Sequence, residues 1–226
     1  MVMLAIGDED RARIAAAVGK AERESDGEIV TIVAPRSDAY HDVGLHYAVL
    51  LMLFVPVWFA FVPQAWIDWA VGTFLGWGAV LTRPLAMTFL FVKLAGAFLL
   101  VRLLFLWMPL RMALTPKGTK HRRVRRRAVE LFKVTTDQRT KGRTGVLLYL
   151  SLLERRAEIV ADEAIHSRIQ PEEWGAAMAA LIEAVKDGRP GEGMALAVEK
   201  IGEVLAACLP AQHENPNELP DRLIEL

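Results

Sequence analysis

Cysteine is almost missing from the chain. Cys208 stands alone among 226 residues, which excludes an internal disulfide framework and any metal site built from several thiolates. Cys208 itself falls on an apolar helical face, where a thiol packs rather than reacts. An excess of charge is missing too. With 27 Lys+Arg against 27 Asp+Glu, net charge proposes no nucleic acid, membrane or acidic partner. No phosphate loop, G-x-S-x-G or H-E-x-x-H occurs. The histidines are His41, His46, His121, His166 and His213, and only the first two, five apart, come near metal-ligand spacing. No repeats are visible, so the sequence names no reaction, and its information lies in how charge and hydropathy are distributed.

The neutral total hides strong polarity. Residues 1–44 carry 5 basic and 9 acidic groups, 45–101 carry 2 and 1, 102–143 carry 13 and 2, and 144–226 carry 7 and 15. The opening GDEDRARIAAAVGKAERE predicts an amphipathic helix with Ile14 and Val18 four apart and Asp8 as its N-cap. Asp26 and Gly27 then turn the chain into a β-branched strand, Glu28 to Ala34, closed by Pro35. Later segments predict strands at 144–151 and 156–162 joined by a turn near Glu154, a helix from Pro171 to Gly188, a last helix from Gly191 to Leu209, and an extended tail over 211–226.

Between these polar parts lies an apolar stretch. YAVLLMLFVPVWFAFVP, residues 47–63, contains no charge and, with its Leu45 flank, is long enough to cross a bilayer as a helix. It follows some 40 polar residues, so it does not read as a signal peptide. Residues 85–108 form a second span carrying Lys93 and Arg102. The piece from 66 to 81 is shorter and holds Asp68, three glycines, and Trp66 and Trp69, fitting an interfacial or re-entrant segment. Gly72 and Gly76 form a G-x-x-x-G pair.

Parity sets the expected number of crossings. The strand at 28–34 needs partners, and the nearest strands lie beyond the apolar stretch. If they share one sheet, the insert leaves and returns on the same face of the membrane. Sixty-odd residues do not supply four spans of about 20, so the expected count is two. The expected organisation is a first domain part at 1–42, a transmembrane hairpin at 43–111, the remainder of the domain at 112–210, and a tail. The run KGTKHRRVRRR contributes Lys117, Lys120, Arg122, Arg123, Arg125, Arg126 and Arg127 beside the second span, against Arg83 alone in the opposite loop. The positive-inside rule then places the soluble parts and both termini in the cytoplasm.

The DGEIVTIVAP strand, the RAVELF helix, TGVLLYLSLLERRAEIVADEAI, the Trp174 helix and DGRPGEGMALAVEKIGEVL together resemble the TPM domain family over about residues 8–35 and 126–210. The resemblance implies an α/β fold, a three-layer sandwich with helices on both faces of a small mixed sheet. Within that family some members look like divalent-metal-binding phosphatases and others like accessory subunits of membrane complexes. The chain departs from the family pattern at Ala161, Asp162, Glu163 and Ala164, where family glycines are absent, and at Asp187 to Gly193, where Arg189 sits among acidic residues.

Two kinds of site follow. Asp162 and Glu163 end a strand and, with Asp187 and Glu192 if the loops converge, would offer oxygen ligands to Ca2+ or Mg2+; the alternative is a polar strand end capping the next loop. The seven cations of 117–127 suit anionic lipid headgroups, or they serve orientation alone. Nucleic acid is disfavoured, because no aromatics interleave the run. Within the spans Lys93 either has a partner, Asp68 or an acidic group on another subunit of a homo-oligomer, or lies at the outer interface if the span starts nearer Leu94, while Arg102 can reach the cytoplasmic interface. The sequence reading is a non-catalytic interaction or accessory module, anchored in the bacterial inner membrane and docking a membrane or cytoplasmic protein. The alternative is a metal-dependent phosphohydrolase.

Overall fold

The computed structural model describes residues 6–76, 82–135, 144–211, 219 and 221–226. Along the chain the elements are α1 (Asp8–Glu24), β1 (Glu28–Ala34), α2 (His41–Phe61), α3 (Gln64–Leu75), α4 (Arg83–Leu104), α5 (Met108–Leu114), α6 (Lys117–Thr135), β2 (Gly145–Ser151), β3 (Arg156–Ala161), α7 (Glu163–His166), a 3-10 turn at Pro171–Trp174, α8 (Gly175–Lys186), α9 (Pro190–Cys208) and β4 (Ile224–Glu225). They fall into two units. One joins Met1–Asp38 to Lys117–Leu226, and the other is Ala39–Pro116.

The discontinuous unit is built on a four-stranded mixed sheet of order β3-β2-β1-β4. β1 runs parallel to β2 over seven residues, from Glu28 opposite Gly145 to Ala34 opposite Ser151. β2 and β3 form the expected antiparallel hairpin, its turn closed by Arg155 at φ 49°. The two strands separated by the insert therefore lie side by side. Every residue of β1 and β2 is buried, as expected of strands covered on both faces, which read as unbroken apolar runs.

Alternation along the strands feeds two cores. Ile29, Val33, Val146, Leu148 and Leu150 pack with Ile14 and Val18 of α1, Leu181 of α8 and Ile201 of α9. Val30, Ile32, Leu147 and Tyr149 point the other way and meet Val124, Ala128 and Phe132 of α6, together with Leu219 from the tail. A Cβ on Gly202 would stand 2.7 Å from the Ala21 Cβ, and one on Gly193 2.8 Å from the Ala184 Cβ. These glycines of the last helix admit α1 and α8 at close range. Half of the tail lies outside the described residues, but its end forms β4, which pairs Ile224 and Glu225 with Ile32 and Val33.

In the second unit α2 and α4 pack together. Phe105 stacks on Tyr47 with ring centroids 5.3 Å apart, and a Cβ on Gly44 would come within 2.8 Å of Phe105. The second apolar helix ends at Leu104, four residues before the expected limit. Pro109, in the first turn of α5, lacks the backbone N–H that continuing the helix would use. α1 begins one residue after Gly7, so Asp8 is its first residue rather than its cap. The middle segment is helical over Gln64–Leu75; residues 77–81 lie outside the described part. A Cβ on Gly72 or Gly76 would meet nothing within 4 Å, so the G-x-x-x-G pair packs against nothing among the described residues.

Candidate functional site

The acidic residues at the end of β3 do different work from one another. The Asp162 carboxylate is buried and accepts from the Gly145 N–H at 3.0 Å, while Asp162 N–H donates to Gly145 O at 3.0 Å. It ties the end of β3 to the start of β2. Glu163 is exposed. At the turn between α8 and α9, Arg189 reaches Asp187 at 3.0 Å and Glu192 at 2.6 Å, so a guanidinium stands between two of the expected ligands. No group of three or more His, Cys, Asp or Glu side chains suited to a metal ion forms among the described residues.

α6 is amphipathic because Val124, Ala128 and Phe132 recur at helical spacing on its core side. The seven Lys and Arg of residues 117–127 divide by what they meet. Arg123 pairs with Asp38 at 3.0 Å, Arg125 with Glu158 at 3.6 Å, and Arg126 and Arg127 with Glu130 at 2.9 and 3.7 Å. Glu158, almost fully covered on β3, also meets His121 at 3.1 Å. Burial pushes its carboxyl up, opposed by His121, Arg125 and Arg156. Lys117, Lys120 and Arg122 make no ion pair among the described residues; Arg122 reaches only the Thr119 hydroxyl at 3.4 Å. Two of these three occupy the first turn of the helix, where positive charge opposes the macrodipole.

Two buried polar groups were not foreseen. Glu22 accepts from the Ile29 N–H at 2.9 Å, and Glu28, 2 % exposed, accepts from Leu219 N–H at 3.3 Å. Burial, with Glu28 and Asp221 nearby, pushes the Glu22 carboxyl up to about 8. At the other end of the parallel strands, Glu154 accepts from Ser37 N–H at 3.0 Å and from the Ser151 hydroxyl, and the Ser37 and Tyr149 hydroxyls are 3.0 Å apart. A Ser-x-x-Glu spacing at 151 and 154 was the available signal for the second group. The first had none, because Leu219 and Asp221, which meet Glu28 and Glu22, come from the tail.

In the insert unit, Asp68 accepts from Gln64 at 2.9 Å and does not pair with Lys93. Arg102 donates to His41 O at 3.4 Å. The unforeseen residue here is Arg111, 5 % exposed. It donates to Phe105 O at 2.8 Å from Nε and to Ala39 O at 2.6 Å from Nη1, and so ties the first residue of the unit to the break after α4.

Residues 110–204 match the family model described as TPM domain. The stretch starts within α5 and ends within α9; α1 and β1, which supply the neighbour of β2, precede the insert. No curated protein matches the chain. Among solved structures, the NMR structure of BA42 protein from the psychrophilic bacterium Bizionia argentinensis sp. nov. is similar at a TM-score of 0.55 and 16% identity, over 97% of this chain and 94% of that one. The likeness is one of fold. Over residues 110–204 the chain is similar to the TPM domain.

Proposed function

We propose that Ala39–Pro116 is a membrane hairpin, and that the TPM-bearing unit is a non-catalytic accessory module held at the cytoplasmic face of the bacterial inner membrane, where it docks a partner protein. The observation that carries this reading is the surface of α2 and α4. Both have a mean hydropathy of 2.0 over an 18-residue window, of which only 17% and 0% is buried. Leu50, Phe61 and Phe91 are 63%, 83% and 70% exposed, an apolar surface that water would not tolerate and lipid would. The chain leaves the discontinuous unit at Asp38 and rejoins it at Lys117, which supports an even number of crossings. Lys117, Lys120 and Arg122 then have anionic headgroups as their counterions.

Single cysteines at Lys20 and Ser167, both exposed, test the topology in a Cys208→Ser background. Both are expected to be shielded from impermeant reagent in intact cells and to label after lysis; label at either site in intact cells overturns the cytoplasmic placement. The non-catalytic assignment draws on Asp162, Asp187 and Glu192 being engaged by their own chain. Purified protein should release no phosphate from aryl phosphates at millimolar Ca2+ or Mg2+. Metal-dependent release abolished by Asp162→Asn or Glu163→Gln would establish the phosphohydrolase reading instead.

A further inference from the structure

A half-open groove of about 200 Å3 lies on the insert unit, between the last two turns of α2, α3, and the first three turns of α4; its tryptophans Trp58, Trp66 and Trp69 are themselves exposed. Trp58, Trp66, Trp69 and Phe89 form much of its wall, and Lys93 is the one charged side chain lining it. Ala86, Phe89, Leu90 and Lys93 recur at helical spacing, so one stripe of α4 faces the space. Lys93 has no hydrogen bond or ion pair among the described residues. Residues 39–116 contain two carboxylates, Asp42 and Asp68. Asp42 lies in the first turn of α2, at the other end of that helix from the groove, and Asp68 is bonded to Gln64.

Lys93 is exposed on α4, so in a segment facing hydrocarbon its ammonium meets lipid, which is unfavourable until an anion joins it. Among the described residues no carboxylate pairs with it: Asp68, on α3 beside the groove, is held by Gln64. The complementary ligand carries an acid at one end and hydrocarbon behind it. The space is comparable to the ~150 Å3 apolar cavity that admits benzene, so it takes one slender chain rather than a two-tailed lipid. We propose that this groove binds a single-chain anionic amphiphile, its carboxylate or phosphate on Lys93 and its chain between Trp58, Trp66 and Trp69. The proposal rests on the membrane reading of the insert.

The test uses the full chain in phosphatidylcholine nanodiscs, with tryptophan quenching by 9,10-dibromostearate as the readout. Saturable quenching is expected, with affinity at least tenfold lower in Lys93→Met and retained in Lys93→Arg. The dibromostearate methyl ester should quench without saturation. A brominated lysophosphatidic acid run alongside shows which acid is preferred: the tighter ligand names the headgroup, and saturable binding of either supports the site. Equal quenching by acid and ester, or by wild type and both variants, would mean simple partition into lipid and would overturn the proposal. Alkaline carbonate extraction of the source membranes separates the two claims. A chain that stays in the pellet but binds without regard to Lys93 defeats only this site. A chain that is extracted yet still binds through Lys93 defeats only the anchor.

Discussion

Replacing Glu22 by Gln should make the protein more stable in alkali, although it removes a hydrogen-bonded acid. In the native state burial, with Glu28 and Asp221 nearby, lets the Glu22 carboxyl hold its proton up to about pH 8 against an ordinary 4.5. The folded protein thus binds more protons than the unfolded chain between those values. The favourable contribution of the protonated acid is complete below about pH 4.5 and is lost as pH rises through 8. Without screening, 3.5 units at about 1.4 kcal/mol each would give ~5 kcal/mol. Glu22 is only partly buried, and water reduces the figure to roughly 2 kcal/mol. An amide keeps the acceptor for the Ile29 N–H and cannot ionise, so Glu22→Gln should match wild type near pH 5 and exceed it by about 2 kcal/mol at pH 9. Urea unfolding of the detergent-solubilised chain at both pH values, followed at Trp174, reads this directly. Hydrogen exchange should show the difference concentrated at β1 and at Leu219, whose N–H bonds to Glu28. If variant and wild type keep the same difference at pH 5 and pH 9, the carboxyl is not the titrating group and the reasoning fails.

Other perturbations follow from the same contacts. Gly202→Ala puts a Cβ 2.7 Å from that of Ala21, and overpacking α1 against α9 should cost about 1–3 kcal/mol in urea unfolding. Arg111→Met strips the donors from Phe105 O and Ala39 O; with buried carbonyls left unpaired it should cost about 2–4 kcal/mol and lower the melting temperature in detergent. Changing Lys117, Lys120 and Arg122 together to Gln should weaken retention of phosphatidylglycerol over phosphatidylcholine by roughly a hundredfold, at about 1 kcal/mol per cation, as read by mass spectrometry of the purified chain. Because those three cations support no core contact, unfolding should be unaffected.

Legibility in the sequence followed the range of the interaction that sets each feature. β1 was readable from Glu28 to Ala34 because a fully covered strand needs an unbroken apolar run, and a turn at Asp26 and Gly27 marks where it starts. α1, α8 and α9 were readable from helical spacing. β4 was not: two residues in RLIEL make no pattern, and their pairing with Ile32 and Val33 exists only because the tail crosses the edge of β1. Glu28 was legible only as the start of β1 and Glu22 only as part of the first helix, since Leu219, whose N–H bonds to Glu28, lies 191 residues away. The glycines of DGRPGEG were legible as important, but their use is helix contact, as the Gly193 approach to Ala184 shows.

Charge was the least readable property. The run from Lys117 to Arg127 is a single block in sequence, yet α6 turns Arg123 toward Asp38 and Arg125 toward Glu158, and those partners lie 85 and 33 residues away. Only a fold can supply such pairs, so a count of seven cations overstates what remains for a headgroup. The three that pair with no acid among the described residues sit at the start of α6, next in the chain to the insert. Helix energetics alone would favour acidic residues there. A first turn that opposes its own dipole, immediately after an apolar hairpin, is the sequence arrangement expected where the counterion lies outside the protein.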